Sequence, residues 1–159
     1  MTLSLAVQFA SKAKHLPDRA QVRRWALAAH AKDSQAVVTI RYVDEKEGRS
    51  LNLAFRQKGY ATNVLTFVHE PDVSPFARPL SERSAKKYAA DIVICAPVIA
   101  HEAREQKKPV STHHGHMVIH GMLHAQGFDH EVEADAAAME ATEIALLTRF
   151  RIKNPYEIA

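Results

Sequence analysis

The sequence predicts an α+β fold in which four short strands and about five helices form one domain spanning residues 1–159. A chain of 159 residues has the length of a single domain. Its composition, 47% hydrophobic and 25% charged, is that of a globular protein and excludes a disordered or collagen-like chain. Strand and helix patterns interleave without repeats or linkers, which leaves little room for a second core.

The four predicted strands are short segments with alternating or β-branched apolar residues. They cover residues 3–9, 36–43, 63–68 and 90–95. The polar run at residues 44–48 predicts a turn after the second strand, and Ser50 predicts the cap of a short helix that follows. Residues 69–89 contain three prolines and no sustained period, so we expect a long connection there.

The other predicted helices carry apolar residues at helical spacing. One begins after Asp18 and extends to about residue 31, with Val22, Trp25 and Ala29 on one face. Another begins at Pro97 and extends to about residue 107, and a third covers residues 112–126. The last covers about residues 131–150, and its expected buried side consists of Val132, Ala136, Met139 and Leu147.

Charge and cysteine content bear on which partner the protein could bind and which compartment it occupies. Residues 1–60 hold 11 Lys and Arg against 5 Asp and Glu, a net charge of +6 in a chain of +3 overall. This part could offer a basic surface to a polyanion or be an ordinary solvated surface. Cys95 has no partner for an intrachain disulfide, and we expect it to be buried as a small apolar residue. Without a secretory pattern at residues 1–9 or a long apolar run, we expect a cytoplasmic protein without membrane contact.

Residues 120–130 carry three histidines at the spacing of metal ligands, in the sequence HGMLHAQGFDH. His120 and His124 are one helical turn apart, so their imidazoles point the same way. Gly127 tolerates the left-handed backbone that ends a helix, which lets the chain turn back and bring His130 to the same ion. Three histidine ligands leave one position of a tetrahedral ion open, as in catalytic zinc sites. The alternatives are a solvent-facing histidine stripe or buried histidines bonded to backbone, but chance yields this motif only about 0.001 times in such a chain.

Gly121 distinguishes this motif from that of the metzincin zinc peptidases, which have the same histidine spacing. Those enzymes carry glutamate directly after the first histidine, as the general base. Gly121 has no side chain, so a peptidase mechanism of that type lacks its base. Cleavage of a phosphodiester needs mainly a metal-activated nucleophile and cationic stabilisation, so the residues favour a charged substrate.

The chain resembles the YbeY family of bacterial rRNA-maturation endoribonucleases. The family signature H-G-x-L-H-x-x-G-[YFW]-D-H is matched by residues 120–130 without a gap. Further similar segments follow the expected order: LNLAFR at 51–56, ATNVLTF at 61–67, DIVI at 91–94 and Met139-Glu140 in the last helix. Two features depart from the family pattern: Ala90 stands where glycine is usual, and the connection at residues 69–89 is longer.

The resemblance implies a zincin-like fold with a small mixed four-stranded sheet. It implies one Zn²⁺ per chain, held by His120, His124 and His130, although histidine sites also suit other divalent transition metals. Arg56 matches the family's arginine and is the implied phosphate-binding catalytic residue, since a guanidinium grips phosphate in a planar fork. Without the resemblance, Arg56 is an ordinary surface arginine.

The resemblance also implies the substrate and the partner. The substrate would be single-stranded RNA, cleaved during maturation of the 3′ end of 16S rRNA and in ribosome quality control. The small ribosomal subunit would be the partner, and no DNA is expected. Two other functions stay open. A zinc peptidase or amidohydrolase would need a base from elsewhere, such as Asp91 or Glu102, and a non-enzymatic ribosome assembly factor would use the metal only to stabilise its fold.

Neighbouring histidines and aromatic residues carry further expectations. His113 and His116 fall near the stripe of His120, and we expect one of them at the surface and the other beside a metal ligand. Four aromatic side chains are candidates for base stacking. We expect Tyr60 to be exposed and the other three to pack in the core: Trp25, Phe55 and Phe67.

Overall fold

The computed structural model describes residues 2–69, 86–128 and 133–157, and their elements form an α+β fold. The chain order is β1 (Thr2–Ala10), α1 (Arg19–Ala29), β2 (Ser34–Val43), α2 (Glu45–Arg56), β3 (Val64–His69), β4 (Lys86–Cys95), α3 (Ala96–Glu105), α4 (Val110–Ala125) and α5 (Glu133–Arg149). The strands form a sheet of order β1-β2-β4-β3, in which β3 is antiparallel to β4 and the other neighbours are parallel. The predicted class, with a mixed four-stranded sheet and about five helices, is confirmed.

Helix α4 is the central helix of the fold. Eleven of its 16 residues are buried, so it is enclosed on nearly every side rather than amphipathic. It packs against α1, α3 and α5 and against strands β3 and β4. Gly121 permits a close contact with the sheet, because a Cβ there would lie 2.8 Å from Cγ2 of Ile92 on β4. The histidines of α4 are therefore held in a fixed position over the sheet.

Apolar side chains cover both faces of the sheet. Alternate residues of β4 point to opposite faces, and Ile92 and Ile94 belong to the main core beneath α1, α4 and α5. Val93 and Cys95 belong to a smaller cluster on the other face. Cys95 is buried as predicted. No helix in the described ranges has the length and apolar character needed to cross a membrane.

The stripes predicted on α1 and α5 are largely confirmed. Asp18 caps α1 by accepting a hydrogen bond from the Gln21 amide at 2.8 Å, and Val22, Trp25 and Ala29 are buried. On α5 the predicted residues Met139 and Leu147 are buried, and Ala136 is half-buried. Val132 lies outside the described residues.

Helix α2 begins earlier than predicted, and the turn expected at residues 44–48 is wrong. The helix starts at Glu45. Its first turn contains Glu45 and Glu47, whose negative charges are favourable at the amino-terminal end of a helix. Ser50, expected as a cap, lies inside the helix and donates a hydrogen bond to the Lys46 carbonyl at 3.0 Å. The run of polar residues is thus the solvated beginning of a helix.

Strand β4 also begins earlier than predicted, so the connection expected at residues 69–89 is shorter. His69 ends β3, and β4 starts at Lys86. Pairing with β2 extends the strand, since Gln35 lies opposite Lys87 and Ala36 opposite Tyr88. Local sequence could not indicate this, because the ladder partner is about 50 residues away in the chain. Residues 70–85 lie outside the described ranges.

Candidate metal centre and its cleft

A cleft of about 710 Å³ opens between the end of α2, strand β3 and the carboxyl-terminal half of α4. His120 and His124 line it from α4, and Arg56 lines it from α2. Residues 62–67 also line the cleft. Arg56 is the one residue with a permanent charge among the described lining residues.

The structure brings together two of the three predicted ligands. The ring centroids of His120 and His124 lie 4.6 Å apart, with an angle of 77° between the ring planes. Both side chains are half-buried, so the rings border the cleft rather than the core. This is the geometry of two imidazoles on one helix face that could approach a common ion.

The third predicted ligand, His130, lies outside the described residues. The helix does end where the sequence predicts, because Gly127 has a φ of 101°. The amide of Gly127 donates to the His124 carbonyl at 3.0 Å, and the amide of Phe128 donates to the Leu123 carbonyl at 3.1 Å. These bonds close the last turn of α4 and direct the chain away from the helix axis at the edge of the cleft.

Glu143 on α5 is a residue of this site that the sequence analysis missed. It is fully buried and accepts hydrogen bonds from Nδ1 of His120 at 2.5 Å, from Nε2 of His116 at 2.9 Å and from the hydroxyl of Tyr156. In the described part of the chain, His116, His120 and Glu143 offer ligand atoms within 4.8 Å of one another, so this group could hold a metal ion.

The three hydrogen bonds keep Glu143 ionised despite its burial. Burial by itself raises the pKa of this carboxyl group, but donation from His116, His120 and Tyr156 outweighs it and lowers the pKa to about 2. The carboxylate therefore fixes His120 through Nδ1 and leaves the opposite edge of that ring, with Nε2, directed away from α5. A carboxylate in this position is the usual partner of a metal-binding histidine.

His113 and His116 are both buried, so the expectation that one of them lies at the surface is wrong. Their exposed fractions are 3% and 7%. His116 contacts Glu143, and His113 donates from Nε2 to Glu102 at 2.8 Å. Helices α3 and α5 pack on α4 and each supplies a carboxylate to one of these rings. The periodicity of α4 alone could not show this.

Arg56 is held at the edge of the cleft by the end of α2. Gln57 adopts the left-handed conformation, with φ of 58°, and its amide donates to the Leu53 carbonyl at 3.1 Å. The buried Asn52 side chain donates to the Tyr60 carbonyl at 2.7 Å and ties the following loop to the helix. Arg56 itself is exposed.

The carboxylates considered as a base for peptide cleavage lie elsewhere. Glu102 accepts hydrogen bonds from His113 and, at 3.2 Å, from the side-chain amide of Asn63. Asp91 pairs with His69 at 2.8 Å in a separate groove. Among the described residues that line the cleft there is no aspartate or glutamate.

One of the four aromatic residues does not lie where it was predicted. Trp25 is 4% exposed and Tyr60 is 59% exposed, which agrees with expectation. Phe67 packs against the smaller apolar cluster. Phe55, expected in the core, is 64% exposed and lines the cleft beside Arg56, so that prediction is wrong.

Comparisons with known proteins identify the family of this chain. The family model described as endoribonuclease YbeY matches residues 7–151. A relative named endoribonuclease YbeY from Thiobacillus denitrificans is 49% identical, with 97% of this chain and 96% of the relative covered. A relative of the same name from Nitrosospira multiformis is 44% identical, with coverage of 97% and 82%. The solution structure of TM1509 from Thermotoga maritima matches with a TM-score of 0.52 at 22% identity, covering 98% of this chain and 96% of that one, and supports the fold.

Proposed function

Because the chain belongs to the endoribonuclease YbeY family, we propose that it is a metal-dependent endoribonuclease that cleaves phosphodiester bonds in single-stranded RNA. Residues 1–159 would form a single metallohydrolase domain. The observation that carries the proposal is one cleft lined by two neighbouring histidines and an exposed arginine, with no acidic residue among its described lining residues. Such a lining favours an anionic substrate over a peptide.

The residues present fit a zinc ion. His120 is fixed through Nδ1 by a buried, ionised carboxylate, which is the arrangement found behind histidines that bind zinc. We propose that His120, His124 and His130 hold one Zn²⁺ per chain, and that Glu143 orients His120 from behind. When bound, a zinc ion lowers the pKa of water and polarises a phosphoryl oxygen.

Arg56 would bind the phosphate that is cleaved. Its guanidinium can donate two parallel hydrogen bonds to phosphate oxygens. Exposure at the mouth of the cleft lets it reach a chain that enters from solvent. Holding the phosphate beside the histidines positions the reacting bond and neutralises charge that develops during cleavage.

The biological role that we propose follows from the family. The protein would act in the cytoplasm on the 3′ end of 16S rRNA and in ribosome quality control, with the small ribosomal subunit as its partner. The positive charge of residues 1–60 suits an RNA partner.

A combined assay of metal content and cleavage tests the proposal. Wild type, His124→Ala and Arg56→Ala are purified, their bound metal is measured, and each is offered single-stranded RNA, double-stranded RNA and casein. We expect wild type to hold about one metal ion and to cleave only single-stranded RNA. His124→Ala should lose both metal and cleavage, whereas Arg56→Ala should keep its metal and lose cleavage by about 100-fold.

Arg49→Ala is the matched control, since Arg49 is exposed on the same helix and does not line the cleft. It should cleave RNA like wild type. Full cleavage by Arg56→Ala would exclude the phosphate-binding role. Cleavage of casein but not RNA would indicate a peptidase, and a metal-loaded wild type that cleaves neither would indicate an assembly factor.

A further inference from the structure

Phe55 forms an exposed aromatic surface at the border of the proposed active-site cleft. It is 64% exposed, and its ring lies 4.8 Å from that of Phe67, centroid to centroid, with 60° between the planes. Phe67 is anchored against the smaller apolar cluster, so it supports Phe55 from below. An exposed phenylalanine that is braced by a second ring presents a flat apolar face to solvent in a defined position.

A second groove begins on the other side of the same two rings. Phe55 and Phe67 line both the cleft with the histidines and this groove of about 490 Å³. The groove lies over the sheet, and its polar lining includes Gln8, Thr39, Arg41 and Asp91. The two phenylalanines therefore separate the site for chemistry from a neighbouring polar space.

The charges of the second groove are compensated within it. Arg41 donates to Glu47 from Nε at 2.6 Å and from a terminal nitrogen at 3.0 Å. His69 pairs with Asp91 at 2.8 Å. The groove thus offers hydrogen-bonding groups without excess positive charge, which suits an uncharged ligand better than a phosphate. Arg56, on the other side of Phe55, provides the charge that suits phosphate.

We propose that Phe55 stacks one unpaired nucleobase of the RNA and that the second groove receives the edge of that base. The inference deepens the proposed function and rests on it. Phe55 and Arg56 are consecutive on α2, so their side chains diverge by about 100° around the helix axis. A nucleotide likewise has two different ends, a charged phosphate on one side of the ribose and a flat base on the other. Arg56 would contact the phosphate, and Phe55 would contact the base. Stacking on an aromatic ring requires an unpaired base, which would account for the proposed restriction to single strands.

The first test measures binding and cleavage of a fluorescent single-stranded RNA by Phe55 variants. Phe55→Ala should weaken RNA binding and raise KM by about 5- to 150-fold, the effect of losing one stacked base, while metal content stays at the wild-type value. Phe55→Trp should restore binding, because indole stacks at least as well. Leu53→Ala is the matched control: Leu53 is 57% exposed on the same helix but lines neither groove.

The second test moves the change to the RNA. A set of oligonucleotides, each lacking one base near the cleavage site, is compared on wild type and Phe55→Ala. For wild type, one abasic position should raise KM by the same factor as Phe55→Ala, and that penalty should disappear in the variant. If wild type cleaves RNA but no abasic position raises KM, the stacking assignment alone would be overturned. It would also be overturned if Phe55→Ala bound RNA like wild type. A wild type that cleaves no RNA would instead overturn the proposed function.

Discussion

Three hydrogen-bond donors converge on the carboxylate of Glu143, and this residue links α4, α5 and the segment after α5. Each oxygen is used: one accepts from His120, and the other accepts from His116 and Tyr156. An ionised carboxylate without these partners would be very unfavourable at full burial. The residue is thus both a part of the core and the support of a proposed metal ligand.

Replacing Glu143 with glutamine should lower metal affinity. Glutamine has nearly the same volume, but its neutral amide holds the His120 ring less firmly than a carboxylate does. We expect metal affinity to fall by about 10- to 100-fold, measured by competition with a chromogenic chelator. Tyr156→Phe, which removes one donor and leaves the charge, should have a smaller effect. An unchanged affinity in Glu143→Gln would show that the carboxylate serves only the core.

His114 should make the protein less stable in acid. Burial is the larger cause that lowers its pKa, to about 4 from an ordinary 6.5, and the charge of His113 adds to it. The ring also packs edge-on against Tyr42. As pH falls from about 6.5 to about 4, the unfolded chain binds a proton that the folded chain excludes.

The free energy of unfolding should therefore decrease over that pH range, by up to about 3 kcal/mol from this residue. Urea denaturation at a series of pH values measures the decrease. In His114→Leu the slope between pH 6.5 and 4 should be shallower than in wild type. Equal slopes in the two proteins would assign the acid sensitivity to other groups.

Sequence reasoning reached the histidines but not Glu143, and the reason is physical. Histidines four residues apart on one helix lie on the same face, so their proximity can be predicted from the sequence. Glu143 is brought to them by packing between α4 and α5, which the sequence does not show. One signal was present: Glu143 lies midway between Met139 and Leu147, on the buried stripe of α5. A carboxylate on an apolar stripe indicates a buried partner.

At the scale of elements, α4 and β4 are in close contact at Gly121. A Cβ on Gly121 would lie 2.8 Å from Cγ2 and 3.3 Å from Cδ1 of Ile92. We expect Gly121→Ala to lower the free energy of unfolding by about 1–3 kcal/mol, the cost of overpacking, as measured by urea denaturation.

Ile92→Ala provides the companion variant for this prediction, since it removes both of the atoms in contact. The double variant should be less destabilised than the sum of the two single changes. Gly59→Ala is the control, because a Cβ there would meet nothing within 4 Å. Additive effects in the double variant would show that the contact with Ile92 is not what limits position 121.

Predicted and observed elements differ where tertiary pairing decides the structure. The core of β4 at residues 90–95 was evident from its apolar residues, but residues 86–89 are strand because β2 lies alongside them. Helix α2 begins at Glu45 because acidic residues are favourable in a first helical turn, although the same residues are typical of turns. The order of the strands in the sheet could not be predicted from local sequence patterns, because it depends on pairing between distant segments.

At the scale of the whole molecule, the proposed ligands join the end of α4 to the chain that follows it. A metal ion that binds only the folded protein stabilises it by mass action, by about 2.7 kcal/mol at 100 times the dissociation constant. For a chain of this size, that corresponds to a rise in Tm of about 5–10 °C.

Adding ZnCl₂ to chelator-treated protein should therefore raise Tm, as followed by differential scanning fluorimetry. Arg56→Ala should show the same rise, and His124→Ala should show little or none. A rise in wild type that His124→Ala retains in full would place the ion elsewhere. If Tm rises normally but RNA stays intact, the ion has a structural role alone.

The contact between Gly121 and Ile92 also limits what chemistry this scaffold can acquire. Installing glutamate at position 121, the change that would supply a peptidase base, requires a side chain to begin in space that β4 already fills. That exchange would therefore call for a smaller residue at position 92 as well, because the atoms in the way belong to the Ile92 side chain. The packing of α4 on the sheet thus disfavours the side chain that a peptidase of that type needs.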